Sequence, residues 1–230
     1  MFWPYYDPTV MVLIPAMLLA MWAQLRVKAT FGRYSRVPST RGLTGAQVAR
    51  SLLNAAGLHD VPVEPIRHHL GDHYDPRQRR MRLSPEVYSG TSLAAIGVAA
   101  HETGHALQHQ QHYMPLQVRN GIYPVAAFGS NAAFPLVLLG LITGATGLLT
   151  LGIWLFIGAL AFQLITLPVE FNASSRAMRL LADGGYVQGN EASGVRAVLQ
   201  AAALTYVAAV AVAISQLIRL LILRGASRDE

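Results

Sequence analysis

The chain has no cysteine and very little charge. Of its 230 residues only 13% are Asp, Glu, Lys or Arg, while 53% are hydrophobic. An ordinary soluble domain carries about twice that charge fraction. Without cysteine there is no disulfide framework and no thiolate metal site, so any metal must be held by His, Asp or Glu. The lack of charge is also local: from Asn120 to Val169 there is no Asp, Glu, Lys or Arg. These absences exclude a disordered chain, a disulfide-stapled secreted module and an ordinary soluble globule. What is present is just as uneven, since all eight histidines fall between His59 and His112.

The apolar segments are of membrane-spanning size. Thr9 to Leu25 can just cross a hydrocarbon core about 30 Å thick. Met1 to Pro8 has no basic run, so this segment reads as a retained anchor rather than a signal peptide. Trp3, Tyr5, Tyr6 and Trp22 suit the two interfaces. The uncharged block is too long for one span. A turn at Gly144-Ala145-Thr146-Gly147 divides it into spans at about 122–143 and 148–168. A last apolar run covers about 197–218. The polar segments 26–121 and 169–196 lie between, and the whole reads as a single membrane domain over 1–230.

The polar segment 26–121 has its own local signals. Thr44 to Ala56 has helical spacing of Val48, Leu52 and Leu53, with Gly57 placed to end the helix. Val61 to Ile66 is extended because of its prolines. Leu70 to Ser84 reads as two short strands around an Asp-Pro-Arg-Gln turn. Ser84-Pro85-Glu86 opens a short helix, and Ser92 opens a long one reaching Gln111.

That long helix carries His101-Glu102-Thr103-Gly104-His105, an HExxH motif. Four residues turn a helix through about 400°, so the two histidines lie about 40° apart on one face. Both imidazoles can then bind one Zn²⁺. Glu102 lies about 100° around, positioned as general base toward a metal-activated water. Chance would produce this motif in such a chain with a probability on the order of 1%. The helix before it is almost wholly apolar, so two histidines and a glutamate there would be costly without partners.

A catalytic zinc takes a third protein ligand. His109 sits about 12 Å along the axis from His101, too far to share one ion. The elongated HExxHxxGxxH pattern fails, because positions 108 and 111 are both Gln. Among acids Glu170 stands out, ending the uncharged block; Glu191 and Asp183 are the alternatives. For peptide binding, the hairpin before the zinc helix makes Met81, Arg82 and Leu83 a candidate edge strand. His73, Tyr74 and Arg176 are candidates to stabilise developing negative charge.

HETGHALQHQ together with LPVEFNASSRA (Leu167 to Ala177) resembles the YugP-type bacterial membrane zinc metallopeptidases. The resemblance extends through TGAQVARSLLNAAGL, DHYDPRQRRMRLSPEVY and AVLQAAALTYVAA, nearly the whole chain. It implies a membrane protease with one zinc ion on His101, His105 and Glu170, and Glu102 as catalytic acid/base. The EFNAS segment is also similar to the Glu-x-x-Ala-Asp motif of HtpX-type and prenyl-protein membrane proteases. There the Asp supports a zinc-ligating histidine; here Ser174 stands in its place. Ser174 or Asn172 can substitute through a neutral hydrogen bond.

The expected fold is therefore mainly α: an integral membrane helical protein with about four spans and a small α+β metallopeptidase region around the HExxH helix. The expected activity is zinc-dependent endopeptidase cleavage of a protein or peptide substrate. Two rival readings are a site-two-type intramembrane protease, for which Ala182-Asp183-Gly184 is a poor echo, and a non-catalytic metal-binding membrane scaffold. The net charge of +6 has no nucleic-acid motif beside it, so no nucleic-acid partner is expected.

The basic residues instead orient the chain in the bilayer of a bacterial cell. Arg26 to Gly121 carries twelve Lys and Arg, and Glu170 to Arg196 three. The positive-inside rule places both segments, and with them the active site, in the cytoplasm. A fourth full span would leave Arg219, Arg224 and Arg228 outside, against that rule. Either the tail tolerates this or the last helix does not fully cross. In intact cells the variant Gln78→Cys should resist an impermeant thiol reagent; ready labelling would invert the orientation.

Overall fold

The computed structural model describes residues 8–68 and 71–226. A 3₁₀ turn at Pro8–Val12 is followed by helices α1 (Ile14–Tyr34) and α2 (Gly45–Ala55). Strands β1 (Val63–Pro65), β2 (His73–Asp75) and β3 (Arg80–Leu83) come next, then α3 (Pro85–Tyr88), α4 (Leu93–Gln110), α5 (Met114–Thr143), α6 (Thr146–Asp183) and α7 (Asn190–Ala226). The fold is mainly α, as expected. Trp3, Tyr5, Tyr6, Leu70 and Arg228 lie outside the described residues.

The chain forms two compact units. One comprises the residues up to Gln24, Val118–Leu167 and the residues from Thr205 on; the other comprises Leu25–Gln117 and Pro168–Leu204. The second unit begins and ends within a few residues of the polar segments 26–121 and 169–196, apart from its extension into α7.

In the first unit the uncharged block folds as a helical hairpin. Its turn falls at Gly144, whose φ of +69° is a conformation few other residues adopt. Glycine also sets the helix spacing: a Cβ on Gly140 would lie 2.6 Å from the Leu149 amide nitrogen. Such close approach through small residues is how helices associate where no hydrophobic effect drives them together. Val137, Leu149, Ile153 and Leu220 form the core here. Val125, Phe128, Phe134 and Trp154 point outward and are exposed, as lipid-facing residues would be.

Three described helices are long and apolar enough to cross a membrane: Met114–Thr143, Thr146–Asp183 and Asn190–Gly225. The expectation was about four. Helix α1 is not among the three, because Arg26, Lys28 and Arg33 fall in its second half and only a short apolar stretch precedes them.

In the second unit, α4 is enclosed from two sides. Ala99, Ala106 and Leu107 pack with Ala49, Leu53, Met81, Leu83 and Val87. Leu93, Ile96 and Ala100 pack with Val48, Leu52, Ala177, Leu181 and Val195. A helix apolar around most of its circumference is explained by burial on both faces.

Local chemistry fixes the ends of these elements. Thr44 and Gln47 close a capping box on α2, with the Gln47 amide donating to Thr44 Oγ1 and the Thr44 amide donating to Gln47 Oε1. At the other end Gly57, φ +74°, allows the Leu58 amide to donate to the Leu53 carbonyl. Ser92 caps α4 by accepting from the Ala95 amide. Ser84 starts α3 with Pro85 behind it, but its side chain does not cap the helix. It donates instead to the Asp72 carboxylate.

The sheet order is β1-β3-β2, with β1 parallel and β2 antiparallel to β3. This corrects the expectation for Met81, Arg82 and Leu83. They lie on the central strand, Met81 and Arg82 paired on both sides and Leu83 with Pro65 of β1, so β3 is not an edge strand. The outer strands are β1 and β2. Met81 and Leu83 are fully buried while Arg82 between them is not, so β3 contributes to the core rather than to a binding edge.

Removing the capping box should be measurable. Thr44→Ala is expected to cost about 1 kcal/mol, read as a lower thermal midpoint of the full chain in detergent.

Candidate metal centre

Helix α4 presents His101 and His105 one turn apart, their rings 4.8 Å between centroids and edge to face at 88°. Helix α6 brings Glu170 to the same place. Glu170 Oε2 lies 3.2 Å from His101 Nε2 and 3.6 Å from His105 Nε2. The donor atoms of all three residues lie within 4.8 Å of one another. Donors held about 2.0–2.2 Å from a tetrahedral zinc stand roughly 3.3–3.6 Å apart. The two Glu170–histidine spacings and the donor set, two imidazoles and a carboxylate, therefore suit a single zinc ion.

Small residues permit this convergence. A Cβ on Gly104 would lie 2.5 Å from the Ala173 carbonyl oxygen, so α4 and α6 meet backbone to backbone at the third position of the motif's Glu-Thr-Gly. Ala100, Ala173 and Ala177 are buried around the contact. Glu170 itself is only 3% exposed.

Each histidine is backed by a neutral group. His101 Nδ1 lies 3.1 Å from Ser174 Oγ, the contact anticipated for that position. His105 Nδ1 lies 3.0 Å from Gln108 Oε1. Gln108 is completely buried, and its Nε2 donates to the Val169 carbonyl at 2.8 Å and to Asn172 Oδ1 at 2.9 Å. Gln108 was not singled out from the sequence. Its only signal there is a polar residue one turn after His105, and all but one of its partners lie more than sixty residues away. Burial opposes charge on His105, but the hydrogen bond and charge of Glu170 and the charge of Glu102 outweigh it, raising the imidazole's pKa above the ordinary value.

Glu102 is 7% exposed, and its Oε2 accepts from the Tyr74 amide at 2.9 Å. Strand β2 thus orients the carboxylate through its main chain. The Tyr74 hydroxyl meets His109 Nδ1 at 2.9 Å. Burial raises the phenol's pKa; burial lowers that of His109, with Arg79 and His112 adding to the effect. One residue before β2, burial raises the Asp72 carboxyl against the pull of the Ser84 amide and hydroxyl.

The remaining candidates have other partners. His73 is exposed and its Nδ1 lies 2.7 Å from the Gly71 carbonyl oxygen. Arg176 donates to Asn172 Oδ1 and Gln111 Oε1 and lies over the Tyr113 ring. Glu191 accepts from the Thr40 amide and hydroxyl, and Asp183 is exposed. Neither acid joins the histidines.

Residues 9–225 match a family model described as "Putative neutral zinc metallopeptidase". The chain is similar to a Bacillus subtilis (strain 168) protein named "Putative membrane protease YugP", 52% identical over 217 residues, which is 94% of this chain and 96% of that one. No solved structure matches it.

The Gly104 contact yields a direct test. Gly104→Ala should cost about 1–3 kcal/mol by overpacking and push α6 from α4. The purified variant should lose zinc to a chelator that leaves the wild type loaded.

Proposed function

The chain belongs to the neutral zinc metallopeptidase family, and from that premise we propose that it is a multi-pass membrane zinc endopeptidase. Its site would work at the cytoplasmic surface of a bacterial cell membrane. The observation that carries the reading is the convergence of His101 Nε2, His105 Nε2 and Glu170 Oε2 on the helix that also carries Glu102. One Zn²⁺ on these three donors would supply Lewis acidity, acidifying a water and polarising the scissile carbonyl.

The chain's own groups do the rest. Glu102, held by the Tyr74 amide, takes a proton from the attacking water. It then delivers that proton to the leaving amine nitrogen as the carbon–nitrogen bond breaks. The water oxygen ends on the new carboxyl group, so protons balance. Ser174 supports His101 from behind by a neutral hydrogen bond, and Asn172 acts one step further out, through Gln108. The three long apolar helices would hold the chain in the lipid bilayer, with peptides or unfolded proteins as substrates.

Wild type, Glu102→Gln and Glu170→Ala decide the matter through bound zinc and cleavage of casein. Glu102→Gln should keep about one zinc per chain and lose activity by about 100-fold or more. Full activity in that variant would sink the proposal. Glu170→Ala should lose most of its zinc, and near-normal zinc there would reject the third ligand.

A further inference from the structure

We infer that Gln108 is the positioning residue that fixes the tautomer of His105, and that the Val169 main-chain carbonyl dictates how it does so. The inference rests on the reading that His101, His105 and Glu170 hold zinc.

A main-chain carbonyl can only accept. The Gln108 side-chain atom 2.8 Å from the Val169 carbonyl must therefore be its NH₂ nitrogen. The same nitrogen meets Asn172 Oδ1, which is marked as an acceptor because Arg176 Nε donates to it. The opposite amide orientation would face oxygen against two acceptors inside a fully buried pocket. With the nitrogen so placed, Gln108 Oε1 must face His105 Nδ1, as observed at 3.0 Å. That oxygen can only accept, so His105 Nδ1 carries the proton. In the neutral ring, His105 Nε2 is then left with its lone pair on the side of Glu170, the tautomer a metal ligand requires.

Ser174 imposes no such choice on His101. A hydroxyl can donate or accept, so the 3.1 Å contact is compatible with either tautomer. The two ligands are thus unequally prepared: His105 is preset by the fold, while His101 is set by the ion. The residue before Glu170 supplies the controlling carbonyl, so the α6 segment that delivers the carboxylate also presets the histidine on α4.

The test is zinc affinity by chelator competition, with apo-protein melting as the check on folding. Gln108→Leu removes the acceptor and should weaken zinc binding about 10–100-fold. Wild-type affinity in Gln108→Leu overturns the inference.

Independently of that variant, zinc-free wild type labelled with ¹⁵N-histidine reads the tautomer directly. At a pH where the ring is neutral, His105 should be protonated on Nδ1, and a ring protonated on Nε2 alone overturns the inference. Zinc binding unaffected by His101→Ala and Glu170→Ala would instead remove the underlying metal-site reading. The two failures are therefore distinguishable.

Discussion

Helices α4 and α6 approach so closely at Gly104 and Ala173 that no side chain fits between their backbones, and the candidate centre depends on that contact. Glu170 reaches the histidines because α6 lies this near to α4. Gln108 reaches the Val169 carbonyl for the same reason. The contact in turn requires α4 to be covered on its other side, which α2, the sheet and α3 accomplish through Ala49, Leu53, Met81, Leu83 and Val87. A three-stranded sheet with strands of three or four residues is too slight to stand alone. Here it serves as a wall for α4 and, through the Tyr74 amide, as the brace for Glu102.

Membership of a zinc metallopeptidase family and similarity to a membrane protease agree with two physical features that are independent of each other. One is a set of apolar helices of spanning length. The other is a His-His-Glu cluster, with His105 and Glu170 buried and His101 partly so, in the unit that holds the polar segments. The family resemblance read from HETGHALQHQ and LPVEFNASSRA is therefore matched across almost the entire chain rather than at the motif alone.

What could be read from the sequence was governed by distance along the chain. The histidine spacing, the Gly57 stop, the Gly144 turn and the β2–β3 hairpin are all set within a few residues, and the structure has them where expected. The position of β3 in its sheet was not legible, because its second partner β1 joins from outside the hairpin in parallel register. Gln108 escaped notice because its meaning lies in Val169 and Asn172. The polar stretches around Glu170 and Asn190 read as breaks between spans, yet α6 and α7 run through them as helices of 38 and 37 residues. Ending an apolar run does not end a helix when its charged turns pack against another element. The first segment shows the reverse: α1 continues as a helix past Leu25, but its apolar part is short.

The serine behind His101 has an electrostatic consequence. If these residues hold a dication, two neutral imidazoles and the Glu170 carboxylate would leave it one unit of positive charge, which the nearby Glu102 carboxylate would cancel. Both carboxylates are almost completely buried, where uncompensated charge is expensive. An aspartate at position 174 would carry the cluster past neutrality to a net negative charge. With serine and glutamine behind the candidate ligands, a zinc-loaded centre would be electroneutral as a whole, the state least penalised when a polar site is withdrawn from water.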